Sequence, residues 1–240
     1  MRTRSRASMR AWTSSVSTEA PAPAPAPAPA RRGGVPRALP AIKAALFVLA
    51  LLPLARLLGA GVFGWFGGLG ANPIELITRS TGTWTLVCLC ASLAVTPLRR
   101  ATGLNWLVRL RRMIGLFAFF YAVLHLGTYV WFDQWFDLRA IVSDVIKRPF
   151  ITVGFAAFVL MVPLAATSTD AMVRRLGRRW GMLHRLVYLV AVAAVLHYWW
   201  HKSGKNDYSE VGWYAAAVAL MLGWRVFDRL RVRSQAQARG

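Results

Sequence analysis

The sequence predicts an all-α integral membrane protein, a bundle of six transmembrane helices with both termini inside. Three observations carry that prediction. Hydrophobic residues make up 56% of the 240-residue chain and charged residues only 16%, which is too apolar for a soluble domain of this length. Apolar stretches recur at lengths near the ~20 residues that a spanning helix needs. Basic residues crowd into alternate connections between those stretches, the pattern of positive-inside topology.

Residues 1–40 are rich in Arg, Ser and Ala and include the alternating Pro/Ala run Pro21–Ala30. Regularly spaced prolines exclude both helix and sheet, so this segment is expected as a disordered cytoplasmic tail. It has no apolar core near its start and no convincing twin-arginine context at Arg31-Arg32, so no cleavable signal is expected. The six-helix domain spans 41–228. Its uninterrupted stretches are Ser80–Leu98, Met113–Phe132 and Pro149–Thr169, none of which contains Asp, Glu, Lys or Arg. Three weaker ones complete the set: Ala44–Gly64 broken by Arg56, Leu186–His201, and Val211–Trp224 running on toward Phe227. Gly59–Pro73 has the composition of an interfacial turn. Residues 229–240 are expected as a basic cytoplasmic tail.

The net charge of +21 raises nucleic acid as a partner, and its distribution decides for lipid instead. Eight basic residues precede the first stretch in 1–43. Five lie in Arg99–Arg112, five in Arg174–Arg185 and five after Trp224. The intervening connections are balanced, with equal numbers of acidic and basic residues in 61–79, 133–148 and 201–210. The third and fifth stretches therefore run outward in parallel. Arg111, Arg112, Arg178 and Arg179 fall where side chains anchor helices at an anionic inner leaflet, with haem propionates, a flavin phosphate or an acidic donor protein as the functional alternatives, and Arg56 is placed to snorkel, with a haem propionate as its alternative partner. Trp131, Trp135, Trp199 and Trp200 fall where an outer aromatic belt is expected.

The connections are too short for a dehydrogenase, protease or kinase domain, and no Gly-rich phosphate loop occurs. Cys88 and Cys90 sit inside an apolar stretch without a CxxC pair and read as small core residues. Chemistry is therefore expected within the bundle. Its candidates are histidines: His125 in the third stretch, His184 and His197 in and before the fifth, with His201 just beyond. An ionisable group at membrane depth is costly unless paired or ligated, and neutral imidazole is a common haem-iron ligand. Taking Arg112 and Arg179 as inner boundaries, His125 lies ~20 Å deep and His197 ~27 Å, whereas His184 lies at ~8 Å. Tilt absorbs the smaller mismatch. His125 and His197 are thus the expected axial pair of an outer b-type haem, and His184 marks an inner level with no evident partner. A straight helix poses a phase difficulty for His184 and His197, since thirteen residues at ~100° each turn their imidazoles to different faces.

Several segments taken together resemble the MsrQ (YedZ) family: GLGANP (Gly68–Pro73), TPLRR (Thr96–Arg100), RRMIGLFAFFYAVLHL (Arg111–Leu126), KRPFITVG (Lys147–Gly154), ATSTDAM (Ala166–Met172), and LGRRWGMLHRLVYL followed by HYWW. The resemblance covers about residues 42–227 and keeps the order and spacing of His125, His184 and His197. It implies a ferric-reductase-like transmembrane fold without a fused dehydrogenase, in the bacterial inner membrane. It implies a subunit that is not itself catalytic, passing electrons from quinol or a cytosolic flavin reductase to a periplasmic molybdopterin methionine sulfoxide reductase for repair of oxidised proteins. It also implies one or two b haems on His125, His184 and His197, with FMN as a further cofactor whose residues the sequence does not place. Two competing readings stand beside it: a free-standing transmembrane ferric or quinone reductase, and a haem-free transporter or scaffold with structural histidines.

Overall fold

The computed structural model describes residues 35–203 and 208–238, so the Pro/Ala-rich tail expected over 1–40 falls outside the described residues up to position 34. The described elements are all helical: α1 (Leu39–Phe63), α2 (Pro73–Thr102), α3 (Val108–Thr128), α4 (Leu138–Lys147), α5 (Pro149–Ala166), α6 (Asp170–Leu176), α7 (Arg178–Leu183), α8 (Leu186–Ser203) and α9 (Ser209–Gln237). Local chemistry sets their ends. The Asn72 side chain accepts from the Glu75 backbone N–H ahead of Pro73 at the start of α2, satisfying an otherwise orphaned donor. Gly103 ends that helix at φ 71°, a left-handed conformation that glycine adopts without strain.

Five helical spans are long and apolar enough to cross a membrane: Leu39–Phe63, Pro73–Thr102, Asn105–Asp133, Pro149–Ala166 and Arg178–Ser203. The sixth expected span, α9, is continuous but lies outside that group. Its charge-free run, Val211–Trp224, is short, bounded by Glu210 on one side and by Arg225 and Asp228 on the other. The helix also runs unbroken through Asp228 to Gln237, so the basic segment expected as a tail from 229 begins as its continuation.

Two antiparallel helix pairs dominate the packing, α2 with α3 and α5 with α8. The core lies between them, around Leu89, Leu93, Ala118, Tyr121, Val190 and Ala191. Cys88 belongs to this core and Cys90 packs against it, both as free thiols. Tyr121 is fully buried, and its hydroxyl donates to the Ala50 carbonyl at 2.6 Å, tying α3 to α1.

Two features depart from simple spans. Between α3 and α5, a π-helical turn (Tyr129–Asp133) leads into α4, whose Leu138, Val142 and Ile146 form an exposed apolar stripe. Such an amphipathic helix suits the membrane interface. Ahead of the fifth expected stretch, Leu186–His201, the helix breaks between α7 and α8 at His184 and Arg185. The phase difficulty was posed for a straight helix, whereas His184 stands in the break and His197 in the helix beyond it.

Candidate haem-binding site

His125 on α3 and His197 on α8 face each other, with ring centroids 6.1 Å apart and ring planes at 77°. The ~7 Å difference in depth expected from residue counting is thus absorbed by the packing. Bonds of about 2 Å on each side of a metal, plus about 1 Å from each nitrogen to its ring centre, put trans imidazole centroids roughly 6 Å apart.

Each ring is held by the partner helix of its own pair. The Nδ1 of His125 lies 3.0 Å from the Thr78 carbonyl of α2, and the Nδ1 of His197 lies 2.7 Å from the Phe150 carbonyl of α5. A carbonyl only accepts, so Nδ1 carries the proton in both rings and Nε2 is left with its lone pair for a ligand. This tie is the usual means by which a protein fixes a metal-binding imidazole.

Space for the rings comes from glycines one turn after those carbonyls. A Cβ at Gly154 would stand 2.6 Å from the His197 Nδ1 and 2.8 Å from its Cε1. At Gly82 it would stand 3.0 Å from the His125 Cε1 and 3.1 Å from Nδ1. The Thr78 hydroxyl oxygen, beside the same cradle, is buried without a hydrogen-bond partner. Among the described residues, no three His, Cys, Asp or Glu side chains converge on one point. Two facing imidazoles are what a porphyrin leaves for a protein to supply, since the macrocycle provides the other four ligands. The residues present fit a haem.

The two halves of this arrangement are copies. Both histidine-to-carbonyl ties span 47 residues. The tetrapeptide Ala122-Val123-Leu124-His125 recurs as Ala194-Val195-Leu196-His197, seventy-two residues later, and the same offset relates Gly82 to Gly154 and Thr78 to Phe150. Sequence reading found the histidines but not the glycines or the carbonyls. The repeated Ala-Val-Leu-His was the signal that could have led to them.

His184 is placed elsewhere, in the break between α7 and α8. Its ring stacks on Trp180 at 3.9 Å and 25°, and its Nδ1 lies 3.2 Å from the Trp180 carbonyl. Its Nε2 is buried without a partner. Among the described residues, no second histidine ring stacks beside it. His201 packs its ring 6.0 Å from that of Phe150, at the outer end. There Glu210 accepts from Arg79 and Tyr198, each at 2.7 Å, and Arg79 holds its carboxyl below the usual carboxylate range.

Comparison with known proteins agrees with this architecture. The family described as "Ferric reductase like transmembrane component" matches residues 81–195, a stretch that holds both His125 and His184. Three relatives carry the name "Protein-methionine-sulfoxide reductase heme-binding subunit MsrQ". That of Ralstonia nicotianae is 60% identical over 193 residues, covering 80% of this chain and 88% of the relative. That of Herminiimonas arsenicoxydans is 56% identical over 204 residues, covering 85% and 92%. That of Xanthomonas campestris pv. campestris is 48% identical over 202 residues, covering 80% and 89%. The chain belongs to the MsrQ family. Within an MsrQ fold of ferric-reductase type, the facing pair lies on α3 and α8, and His184 stands between α7 and α8.

Proposed function

We propose that this chain is the haem-binding membrane subunit of a methionine sulfoxide reductase system and carries electrons through the bacterial inner membrane. The observation that supports this most is the facing of His125 and His197 at 6.1 Å, each with Nδ1 tied to a carbonyl and a glycine cleared for its ring. Haem supplies one-electron exchange between the two oxidation states of its iron. Everything else is done by the chain. His125 and His197 hold the outer group, His184 an inner one, and the helices exclude water from both.

The positive-inside pattern orients the bundle N-in and C-in. His184 then lies toward the cytoplasm, and the His125 and His197 pair lies ~20 Å further out along the helix. Electrons enter at the inner level from quinol or a cytosolic flavin reductase. They leave at the outer level to a periplasmic molybdopterin partner that reduces methionine sulfoxide.

Purification from haem-replete cells tests the reading. Reduced-minus-oxidised spectra should show b-type bands, and co-expression with the periplasmic partner should give electron flow to methionine sulfoxide. A protein with no Soret band would end the proposal. Haem that is reducible yet never oxidised by the partner would favour the free-standing reductase.

A further inference from the structure

The inner half of α9 buries a charge with no counter-charge. Arg225 is 8% exposed, although its position at the end of the last apolar stretch reads as that of a flanking cytoplasmic residue. Its Nη2 donates to the Leu93 carbonyl of α2 at 2.6 Å, and its guanidinium lies 4.8 Å from the centre of the Tyr188 ring. Nε and Nη1 are buried and have no partner. No carboxylate among the described residues pairs with it. Tyr188 is the polar neighbour that favours its charge, while Arg111 and Arg229, of the same sign, oppose it. A guanidinium at membrane depth with idle donors is costly, and buried cations are retained where an anion meets them.

His184 has a matching deficit nearby. It precedes Tyr188 by one helical turn, its Nε2 is buried and unpartnered, and Arg111 acts electrostatically on both His184 and Arg225. A nitrogen lone pair suited to a metal, on His184, and a fork of N–H donors suited to an oxyanion, on Arg225, are linked through Tyr188, four residues after His184 and 4.8 Å from the guanidinium. A haem answers both, through its iron and its carboxylate arms. A flavin phosphate answers only the fork.

We propose that Arg225 anchors the carboxylate of a haem held at the inner level by His184. This rests on the reading of His184 as an inner haem ligand. The guanidinium makes two charged hydrogen bonds to the carboxylate through Nε and Nη1, while Leu93 and Tyr188 keep the side chain in place.

The test uses the full-length protein purified from haem-replete cells, comparing Arg225→Met, Arg225→Lys and His184→Ala. Haem per protein, redox titration at the α-band, and fluorescence of released flavin are measured for each. Arg225→Met should weaken retention of the inner haem about tenfold or more, the scale of lost charged hydrogen bonds. It should also lower the midpoint potential of the inner haem that remains, because a nearby cation favours the reduced state. The outer haem should be unchanged and reports that the bundle is folded. Arg225→Lys should fall between, restoring charge without the planar fork. If Arg225→Met does not accumulate, the Lys variant decides: inner haem retention equal to that of the unaltered protein, despite loss of the planar fork, overturns the proposal. Inner haem content and potential equal to those of the unaltered protein in Arg225→Met overturn it, as does loss of flavin with both haems kept. If His184→Ala removes a haem while Arg225→Met is silent, only the anchor fails. If His184→Ala removes none, the inner-haem reading fails with it.

Discussion

The outer and inner levels of this bundle meet the same problem by different means. At the outer level, two copies of one device face each other: a histidine, a carbonyl from the partner helix, and a glycine one turn on. At the inner level a single histidine stands in a helix break, stacked on Trp180, and a buried arginine of α9 lies against the ring of Tyr188, four residues further on. Duplication gives two equivalent imidazoles, each tied to a carbonyl of the partner helix in its own pair. The inner level, lacking the second copy, draws its polar groups from α7 and α9 and leaves both with unmet bonding capacity. One level is specified by repetition, the other by unsatisfied atoms.

The sharpest way to break this contrast is to remove an outer ligand. His125→Ala or His197→Ala should abolish the outer haem almost completely and leave the inner one, measured by haem content and by loss of one component from the redox titration. His184→Ala should do the reverse. A variant at the outer level that empties both, or neither, would mean that the levels are not independent.

The glycines come next. Gly154→Ala puts a methyl 2.6 Å from the His197 ring, and Gly82→Ala puts one 3.0 Å from His125. Overpacking of this kind costs about 1–3 kcal/mol, and a displaced imidazole tie costs roughly 10- to 100-fold in metal affinity. Gly154→Ala should therefore lose more outer haem than Gly82→Ala. Equal retention in both variants would show that the cradle yields freely and that the glycines do not set the site.

What was legible in the sequence follows from this contrast. Histidines stand out in stretches without Asp, Glu, Lys or Arg, and loop charges suggest the direction of those stretches, so depth could single out His125 and His197, whose rings the structure brings to 6.1 Å. Gly82 and Gly154 were invisible for the opposite reason. Glycine is common in membrane helices, and its use depends on which ring lies across the interface. Arg225 was hidden by its place in the chain, where a basic residue at the end of an apolar run usually reaches headgroups. Only the packing of α9 against Leu93 and Tyr188 turns it inward. The break at His184 and the interfacial α4 were missed because a charge-bounded apolar stretch gives length and not continuity.

The smallest predicted effect concerns the inner rim, where α6 meets α3. Asp170 pairs with Arg112, and the hydrogen bond from Arg112 holds the Asp170 carboxyl below its ordinary range. A carboxyl whose folded value is depressed contributes stability above its unfolded value and loses it as pH falls through the folded one. Asp170 is solvent-exposed and screened, so the contribution is small. Asp170→Asn should lower the thermal unfolding midpoint slightly at neutral pH, and the gap should close in acid, below the carboxylate range. Haem content at both levels should not change, because the pair fastens the ends of helices and touches neither histidine site. A gap that persists unchanged into acid would mean that Asp170 acts through its first-turn position on α6 rather than through Arg112. Loss of inner haem in this variant would extend the inner site to the rim and weaken the claim that Arg225 alone answers its charge.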